Sequence, residues 1–298
     1  MWKSILKQIF SIIVTIWVAI TLVFFALRLL PGNAIDAQLQ GSGLPQATID
    51  ARKASLGYDD SLLVQYFNYL FDFVQGKWGQ SLYTGQTVQE AISSRLPSTV
   101  TLAGYSIMLA IILGIGLGVV AGISTKLSFL AHLIIDLSLG IPIYVTATIL
   151  LFVIASRIGN IQGGVLLPML ALGFHTSGAI AHIIETNLIN IQRAPFIQTA
   201  KAKGLLDSYI IFSHMLRLAL LPAISVIALQ AGILFSGTVI TESIFSRAGL
   251  GLLILDATLQ RDYPIVQGVV VLTAITYIVF NAIADIFTQI LDLELLIS

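Results

Sequence analysis

The sequence predicts an all-α integral membrane protein that crosses the bilayer about six times. Hydrophobic residues make up 57% of the 298-residue chain and charged residues only 10%, whereas an average soluble domain has about 25% charged residues. Charges and prolines also divide the chain into runs of about twenty apolar residues, the length that an α-helix needs to cross a hydrocarbon core. A soluble fold could not bury this much apolar surface.

The first expected span lies between Lys7 and Arg28, where twenty uncharged residues include thirteen Ile, Leu, Val or Phe. At roughly −0.5 kcal/mol each, these apolar residues contribute about −6 kcal/mol toward insertion. The run is longer than a signal-peptide core and lacks a small-residue cleavage site at its end, so we expect a retained helix. The other spans are expected at residues 96–125, 137–156, 158–181, 218–241 and 263–284.

The distribution of basic residues predicts that both termini are cytoplasmic. Short cytoplasmic loops carry an excess of Lys and Arg, and this orientation places seven basic residues inside against three outside. Residues 1–30 then form an N-terminal transmembrane helix, and residues 31–95 form an extracytoplasmic segment. The inner residues are Lys3, Lys7, Lys126, Arg193, Lys201, Lys203 and Arg217, and the outer ones are Arg157, Arg247 and Arg261.

Composition and motifs argue against several function classes. The 15 basic and 15 acidic residues balance, so nothing favours nucleic-acid binding, and the absence of cysteine rules out a thiolate metal site. The only Gly-Lys pair, at residues 76–77, is followed by Trp78, so the chain lacks the G-x-x-x-x-G-K-[ST] loop of an ATPase. The string HIIE at 182–185 is not a zinc-binding H-E-x-x-H, and YDD at 58–60 lies outside the expected spans. We expect neither an enzyme nor a metal site.

An ion-coupled secondary transporter is a rival hypothesis, because such proteins bury ionisable groups near the bilayer midplane. His132 and Asp136, one helical turn apart, are the candidates. Asp136 either lines a water-filled pathway or makes a polar contact between helices. Gly114, Gly116 and Gly118 are expected to let neighbouring helices approach closely.

Two polar stretches lie outside the expected spans. Residues 61–75 carry apolar side chains at helical spacing, which predicts an amphipathic helix on the outer membrane surface, against the bundle, or within a docking platform. Residues 182–217 contain the string QTAKAKG, in which Gly204 allows a positive φ and a sharp turn between two short helices. This second stretch fits either an interfacial helix held by anionic lipid or an insert for a protein groove.

At QTAKAKG, residues 198–204, and at LLP, residues 220–222, the chain resembles the membrane subunits of binding-protein-dependent ABC importers of the dipeptide, oligopeptide and nickel family. The stretch LGYDDSLLVQY at residues 56–66 also resembles this family in order and spacing, as do three others. The likeness therefore covers nearly the whole chain. The three others are LRLLPGNA at 27–34, SRLPSTVTLA at 94–103 and TESIFSRAGLGLLILDATLQRDYPIVQG at 241–268.

The resemblance implies a type I ABC transporter permease fold, with one N-terminal helix before a core at residues 96–291. It implies the membrane-spanning permease subunit of an ATP-driven importer of peptides, or alternatively of nickel or another metal chelate. The implied partners are a second permease subunit, two ATP-binding subunits that hold ATP and magnesium, an extracytoplasmic substrate-binding protein and membrane lipid. The cell inner membrane is the implied location.

The resemblance also implies two functional regions. A cytoplasmic coupling loop at residues 185–217 would contact the ATP-binding subunits through Thr199, Ala200, Lys201, Ala202, Lys203, Gly204 and Leu205, with Pro222 downstream. An outer gate between the last two spans would use Glu242, Arg247, Arg261 and Asp262, although solvated charges at helix ends would look the same in a sequence.

Four features depart from the family pattern. Gln198 and Thr199 replace the usual Glu and first Ala of the coupling loop, and Glu185 stands where a basic residue is usual. The outer loop near residues 156–168 is short, and the C-terminal tail LDLELLIS is not basic. These departures concern the vestibule and the cargo rather than the family.

Overall fold

The computed structural model describes residues 2–29, 47, 57, 60–81, 83–158 and 164–297. Within these residues the regular structure is helical apart from one isolated bridge between Gln80 and Thr87. In chain order the helices are α1 (Trp2–Arg28), α2 (Leu62–Val74), α3 (Val88–Ile123), α4 (Ser128–Gly140), α5 (Ile143–Ile158), α6 (Leu166–Gln192), α7 (Pro195–Ala202), α8 (Asp207–Tyr209), α9 (Leu216–Ser236), α10 (Val239–Ile244), α11 (Leu250–Leu259) and α12 (Tyr263–Ile297), with a π-helix at Ile210–Met215 between α8 and α9.

Among the described residues, five helical segments are long and apolar enough to cross a membrane. The bent pair α4 and α5 makes a sixth if it counts as one span. The expectation of an all-α protein with about six spans is therefore confirmed. The five segments are Gln8–Arg28, Val88–Ile123, Leu166–Gln192, Asp207–Ser236 and Tyr263–Phe287.

The expected third span at residues 137–156 is wrong as a continuous helix. The chain bends by 103° between α4 and α5. Ile141, the residue between α4 and Pro142, has an extended backbone with φ −83° and ψ 125°. The ring of Pro142 disfavours helical geometry at the residue before it, which explains the break.

The expected fourth span at residues 158–181 is displaced, because α6 runs from Leu166 to Gln192. His182 and Glu185, which the sequence places in a polar stretch, lie inside this helix. α6 is the most buried of the five long segments. Polar side chains are tolerated in it because much of its surface meets protein rather than lipid.

The chain forms two compact units: Met1–Ser98 with Ala248–Ile278, and Thr99–Arg247 with Val279–Ser298. In the second unit, α6 packs against α4, α5 and α9. Gly114 and Gly118 bring the second unit's part of α3 against it, since a Cβ at Gly118 would lie 2.6 Å from the carbonyl oxygen of Ala181. Gly122 packs on Leu188 in the same way. The prediction for Gly116 is wrong, because a Cβ there would meet no atom of the described residues within 4 Å.

The first unit has its own apolar core. Val88, Ile92, Leu250 and Val269 are buried in one cluster formed by the start of α3, α11 and α12. α2 is attached to α1 by a hydrogen bond of 2.7 Å between the Thr21 and Tyr66 hydroxyls. These contacts fix α2 beside the end of α1.

Candidate functional site

α7 and the turn that follows it form the centre of the candidate coupling site. Pro195 occupies the first turn of the helix, where its fixed φ favours helix initiation and its missing N–H is not needed. The helix ends in a turn at Gly204, whose φ is +79°. The amide of Gly204 donates to the carbonyl oxygen of Lys201 at 2.9 Å, and that of Leu205 donates to Ala200 at 3.3 Å. The turn predicted from the glycine is therefore present.

One apolar side chain anchors α7 to the rest of the second unit. Ile197 in α7 is 1% exposed and belongs to a cluster with Ile184 and Leu188 of α6. Ile210 and Met215 of the π-helix complete the contact and are also buried. α7 is thus fixed both to α6 and to the segment that leads into α9.

The opposite side of the segment is exposed and mixes apolar with basic side chains. Lys201, Ala202, Lys203 and Gly204 are all exposed. Lys201 Nζ lies 3.8 Å from Asp207 Oδ1, but both side chains are solvent-accessible, so this ion pair contributes little to stability. The large apolar side chains that remain exposed are Phe196, Leu205, Leu206, Tyr209 and Phe212.

A π-helix at Ile210–Met215 joins this segment to α9. π-helical turns are rare and occur often at functional sites. Further along, Pro222 lies inside α9, where it cannot donate the helical hydrogen bond to residue 218. The connection between the exposed segment and the membrane helix therefore departs twice from regular α-helical geometry.

His132 makes a contact that the sequence did not predict. Its Nε2 lies 2.5 Å from Oε1 of Glu185, and its Nδ1 lies 2.7 Å from the carbonyl oxygen of Ser128. Glu185 is 6% exposed and also faces His182 Nδ1 at 4.0 Å. The contact joins α4 to α6, whereas Asp136, its expected companion, is exposed on the surface of the chain. The sequence signal that could have pointed to this partner is Glu185, an acidic residue at a position where the family usually has a basic one.

The four gate candidates divide between the two units. In the second unit, Glu242 is fully buried and accepts a hydrogen bond of 2.7 Å from the Thr99 hydroxyl. Arg247 is 9% exposed, and its backbone N–H donates to the carbonyl oxygen of Glu242 at 2.8 Å. These two groups are not solvated charges at a helix end.

The other two candidates lie in the first unit. Asp262 is 3% exposed and accepts a hydrogen bond from the Ser81 hydroxyl. Arg261 is exposed and has a φ of +56°, in the left-handed region. Of the four gate candidates, only Arg261 matches the interpretation as a solvated charge.

Comparison with known proteins identifies the family. Residues 110–296 match the family described as binding-protein-dependent transport system inner membrane component, and residues 1–103 match the N-terminal family of the same membrane components. The chain belongs to this permease family. A nickel import system permease protein NikB from Staphylococcus aureus strain MRSA252 is 30% identical, over 97% of this chain and 90% of the relative. The corresponding protein of strain bovine RF122 / ET3-1 is 29% identical over the same shares.

A solved structure confirms the fold. An inward-facing structure of the MetNI methionine ABC transporter matches with a TM-score of 0.58 and 15% sequence identity. The match covers 66% of this chain and 94% of that chain. The type I ABC permease fold expected from the resemblance is therefore confirmed.

The permease is a multi-pass protein of the cell inner membrane and a pore subunit of an ATP-driven ABC importer. ATP hydrolysis resides in separate subunits, and the permease works with other components of such an importer. Family membership replaces the secondary-transporter and intramembrane-enzyme hypotheses.

Proposed function

We propose that the segment at residues 185–217 couples the permease to an ATP-binding subunit, and that this contact drives alternating access of the pore. The observation that carries the proposal is the contrast between the two sides of α7. Ile197 is anchored in the core, whereas Leu205 and Leu206 present apolar surface beside Lys201 and Lys203. An apolar patch with a polar rim is typical of a protein interface.

In the proposed importer, two ATP-binding subunits hold ATP and magnesium, and each docks on one permease subunit at the cytoplasmic face. Closure of the ATP-binding subunits pushes on α7. The push passes through the Ile197 anchor to α6 and through the π-helix to α9, where Pro222 lies. A second permease subunit completes the pore, and an extracytoplasmic substrate-binding protein delivers the cargo.

From the family resemblance, we propose Glu242 and Arg247 of the second unit, and Arg261 and Asp262 of the first unit, each as candidates for the outer gate. The burial of Glu242 and Asp262 supports this assignment, because carboxylates that are removed from water need fixed partners and mark sites with a specific role. His132 and Asp136 remain pathway candidates, with His132 held by Glu185 on α6.

Site-specific cross-linking tests the docking contact. Because the chain has no cysteine, a single Leu206→Cys variant carries one thiol to which a maleimide photo-cross-linker can be attached. The matched control is Leu127→Cys, since Leu127 is 55% exposed in the loop between α3 and α4, which we expect on the same side of the membrane. We expect cross-links to the ATP-binding subunit from position 206 and not from 127. Equal yields at both positions would contradict the docking contact.

For the cargo, we propose peptides, with nickel as the second candidate. Peptides follow from the sequence resemblance, and nickel is favoured by the names of the curated relatives. Uptake by the complete importer in proteoliposomes, with its own binding protein and ATP, separates the two. Accumulation of a labelled oligopeptide that excess nickel does not reduce supports the first candidate. Accumulation of radioactive nickel that peptides do not reduce supports the second.

A further inference from the structure

We infer that the first unit carries a binding site for the phosphate of an anionic phospholipid, at the level where its membrane helices end. The site is a cavity of about 400 Å³. Its walls come from the end of α1, one face of α2, the chain after α2 and the start of α12. The charged, polar and aromatic side chains that line it include Arg28, Tyr69, Asp72, Lys77, Trp78 and Gln267.

Gln267 in α12 supplies the observation that points to a ligand. Its side chain is 8% exposed, and its Nε2 forms no hydrogen bond of acceptable geometry with any described residue. Its side chain is nevertheless close enough to the Tyr69 hydroxyl to lower the pKa of that group, against the larger effect of burial. A buried amide donor without a partner is costly. An oxyanion in the cavity would satisfy it.

The cavity is rich in hydrogen-bond donors. Arg28 is held in place, because its Nε donates to Gln65 Oε1 at 2.7 Å and its guanidinium lies 4.7 Å above the ring of Phe24. Burial raises the pKa of Tyr69 to about 12, while Gln267 and Arg28 oppose that rise. The Tyr69 hydroxyl therefore keeps its proton at neutral pH and can donate it in a hydrogen bond. Lys77 adds an exposed ammonium group at the rim.

The charge of the cavity suits a monoanion. Among the described lining residues, Arg28 and Lys77 are cationic and Asp72 is anionic, so two positive charges and one negative charge give a net charge of +1. A phosphodiester carries one negative charge, whereas free phosphate carries about one and a half at pH 7 and would be repelled somewhat more strongly by Asp72. The single negative charge of a phosphodiester matches the net charge of these three side chains.

The two faces of α2 show where the rest of the lipid would lie. Leu63, Phe67, Phe71 and Val74 are all more than 60% exposed and fall on one side of the helix, because residues four and seven apart share a face. Gln65, Asn68, Tyr69 and Asp72 line the cavity from the other side. Such a helix lies in the membrane interface with its apolar face toward the acyl chains.

The depth of the cavity agrees with this placement. α1 ends at Arg28 and α12 begins at Tyr263, so both helices reach the headgroup region at the cavity. Trp78 and Tyr263 line the cavity, and aromatic residues of this kind concentrate at membrane interfaces. Trp78 is held by stacking on Phe73, with ring centroids 5.1 Å apart. Acyl chains could therefore follow the exposed face of α2 while the phosphate enters the cavity.

Lipid retention tests the inference. The importer complex is purified, stripped of lipid with detergent and titrated with phosphatidylglycerol or phosphatidylethanolamine, with bound lipid counted by native mass spectrometry. We expect saturable binding that prefers phosphatidylglycerol. Lys77→Gln and Gln267→Leu should each weaken this binding roughly tenfold, the effect of losing one hydrogen bond to a charged group. Gln267→Glu should weaken it further by adding a negative charge.

Lys126→Gln is the matched control, because Lys126 is an exposed cation in the loop between α3 and α4 and is not among the residues that line the cavity. It should retain phosphatidylglycerol like the unaltered protein. Equal loss in Lys77→Gln and Lys126→Gln would overturn the inference, as would unchanged retention in all cavity variants. Inorganic phosphate or a dipeptide that binds in the unaltered protein and displaces the lipid would overturn it in favour of a soluble ligand.

Discussion

Gly204 is needed for its backbone conformation and not for close packing inside the permease. Its φ is +79°, and no atom of the described residues lies within 4 Å of the position that a Cβ would occupy. A side chain at this position would therefore meet no other described residue of the permease, so any effect on the fold of the permease itself must come from the backbone. A substitution at Gly204 therefore tests the turn between α7 and α8 without disturbing the packing inside the permease.

We predict that Gly204→Val lowers transport while membrane insertion stays normal. A β-branched residue in this region strains the turn by about 1–3 kcal/mol and should displace the docking surface. Gly204→Asn is the matched control, because Asn adopts positive φ more readily than other residues. The measurement is uptake together with co-purification of the ATP-binding subunits. Full transport by the Val variant, with those subunits bound, would show that the turn has no coupling role.

The contact between His132 and Glu185 supports a prediction about stability. We expect His132→Leu to lower the melting temperature of the purified permease, because Glu185 would keep a buried carboxylate without its partner, at a cost of about 1–3 kcal/mol. Adding Glu185→Leu should restore much of the loss, since both polar partners are then removed. His182→Leu is the control, because His182 is mostly exposed and lies 4.0 Å from the carboxylate. An equal loss in that control would mean that the contact with His132 has no special weight.

The sequence predicted the number of membrane-spanning helices better than it predicted where each helix is continuous. Hydropathy measures whether a segment tolerates lipid, so the uncharged runs gave about six spans. It does not measure whether the backbone continues, and it passes over Pro142 inside an uncharged run. It also fails for α6, whose polar residues resemble a loop until the helices that shield them are known.

The same distinction applies to the candidate site. A glycine between short polar helices was enough to predict the turn at Gly204, because φ depends on local chemistry. The anchor at Ile197 and the pair of His132 with Glu185 depend on contacts over long sequence distances. Of these last two residues, 53 positions apart, each alone looks like an isolated polar group. Such contacts require the fold.

The orientation of the helices remains a prediction with a direct test. Because basic residues concentrate in short cytoplasmic loops, we expect a reporter that is active only outside the cell to work when fused after Gln80 and to fail when fused after Gly204. A reporter active only inside should give the opposite result, which serves as the control for expression. A reversed pattern in both reporters would invert the topology and place α7 on the wrong side for an ATP-binding subunit.

At the scale of the complete importer, we predict that the permease pair alone binds its cargo weakly and that specificity lies in the binding protein. A ligand that binds equally tightly to both conformations of the pore does not shift the equilibrium between them. Equilibrium binding of peptide and of nickel to the purified permease pair, with and without the binding protein, is the measurement. Tight binding without the binding protein would show that the pore itself selects the cargo.

The π-helix at Ile210–Met215 affects how α8 is rotated about the helix axis relative to α9. An α-helix turns by about 100° and rises 1.5 Å for each residue. Closing the wide turn into regular α-helix would therefore act like removal of one residue, rotating α8 and the exposed surface before it by about a quarter of a turn relative to α9. A push that opens or closes this turn would be converted into twist, and α9 would receive a torque as well as a displacement.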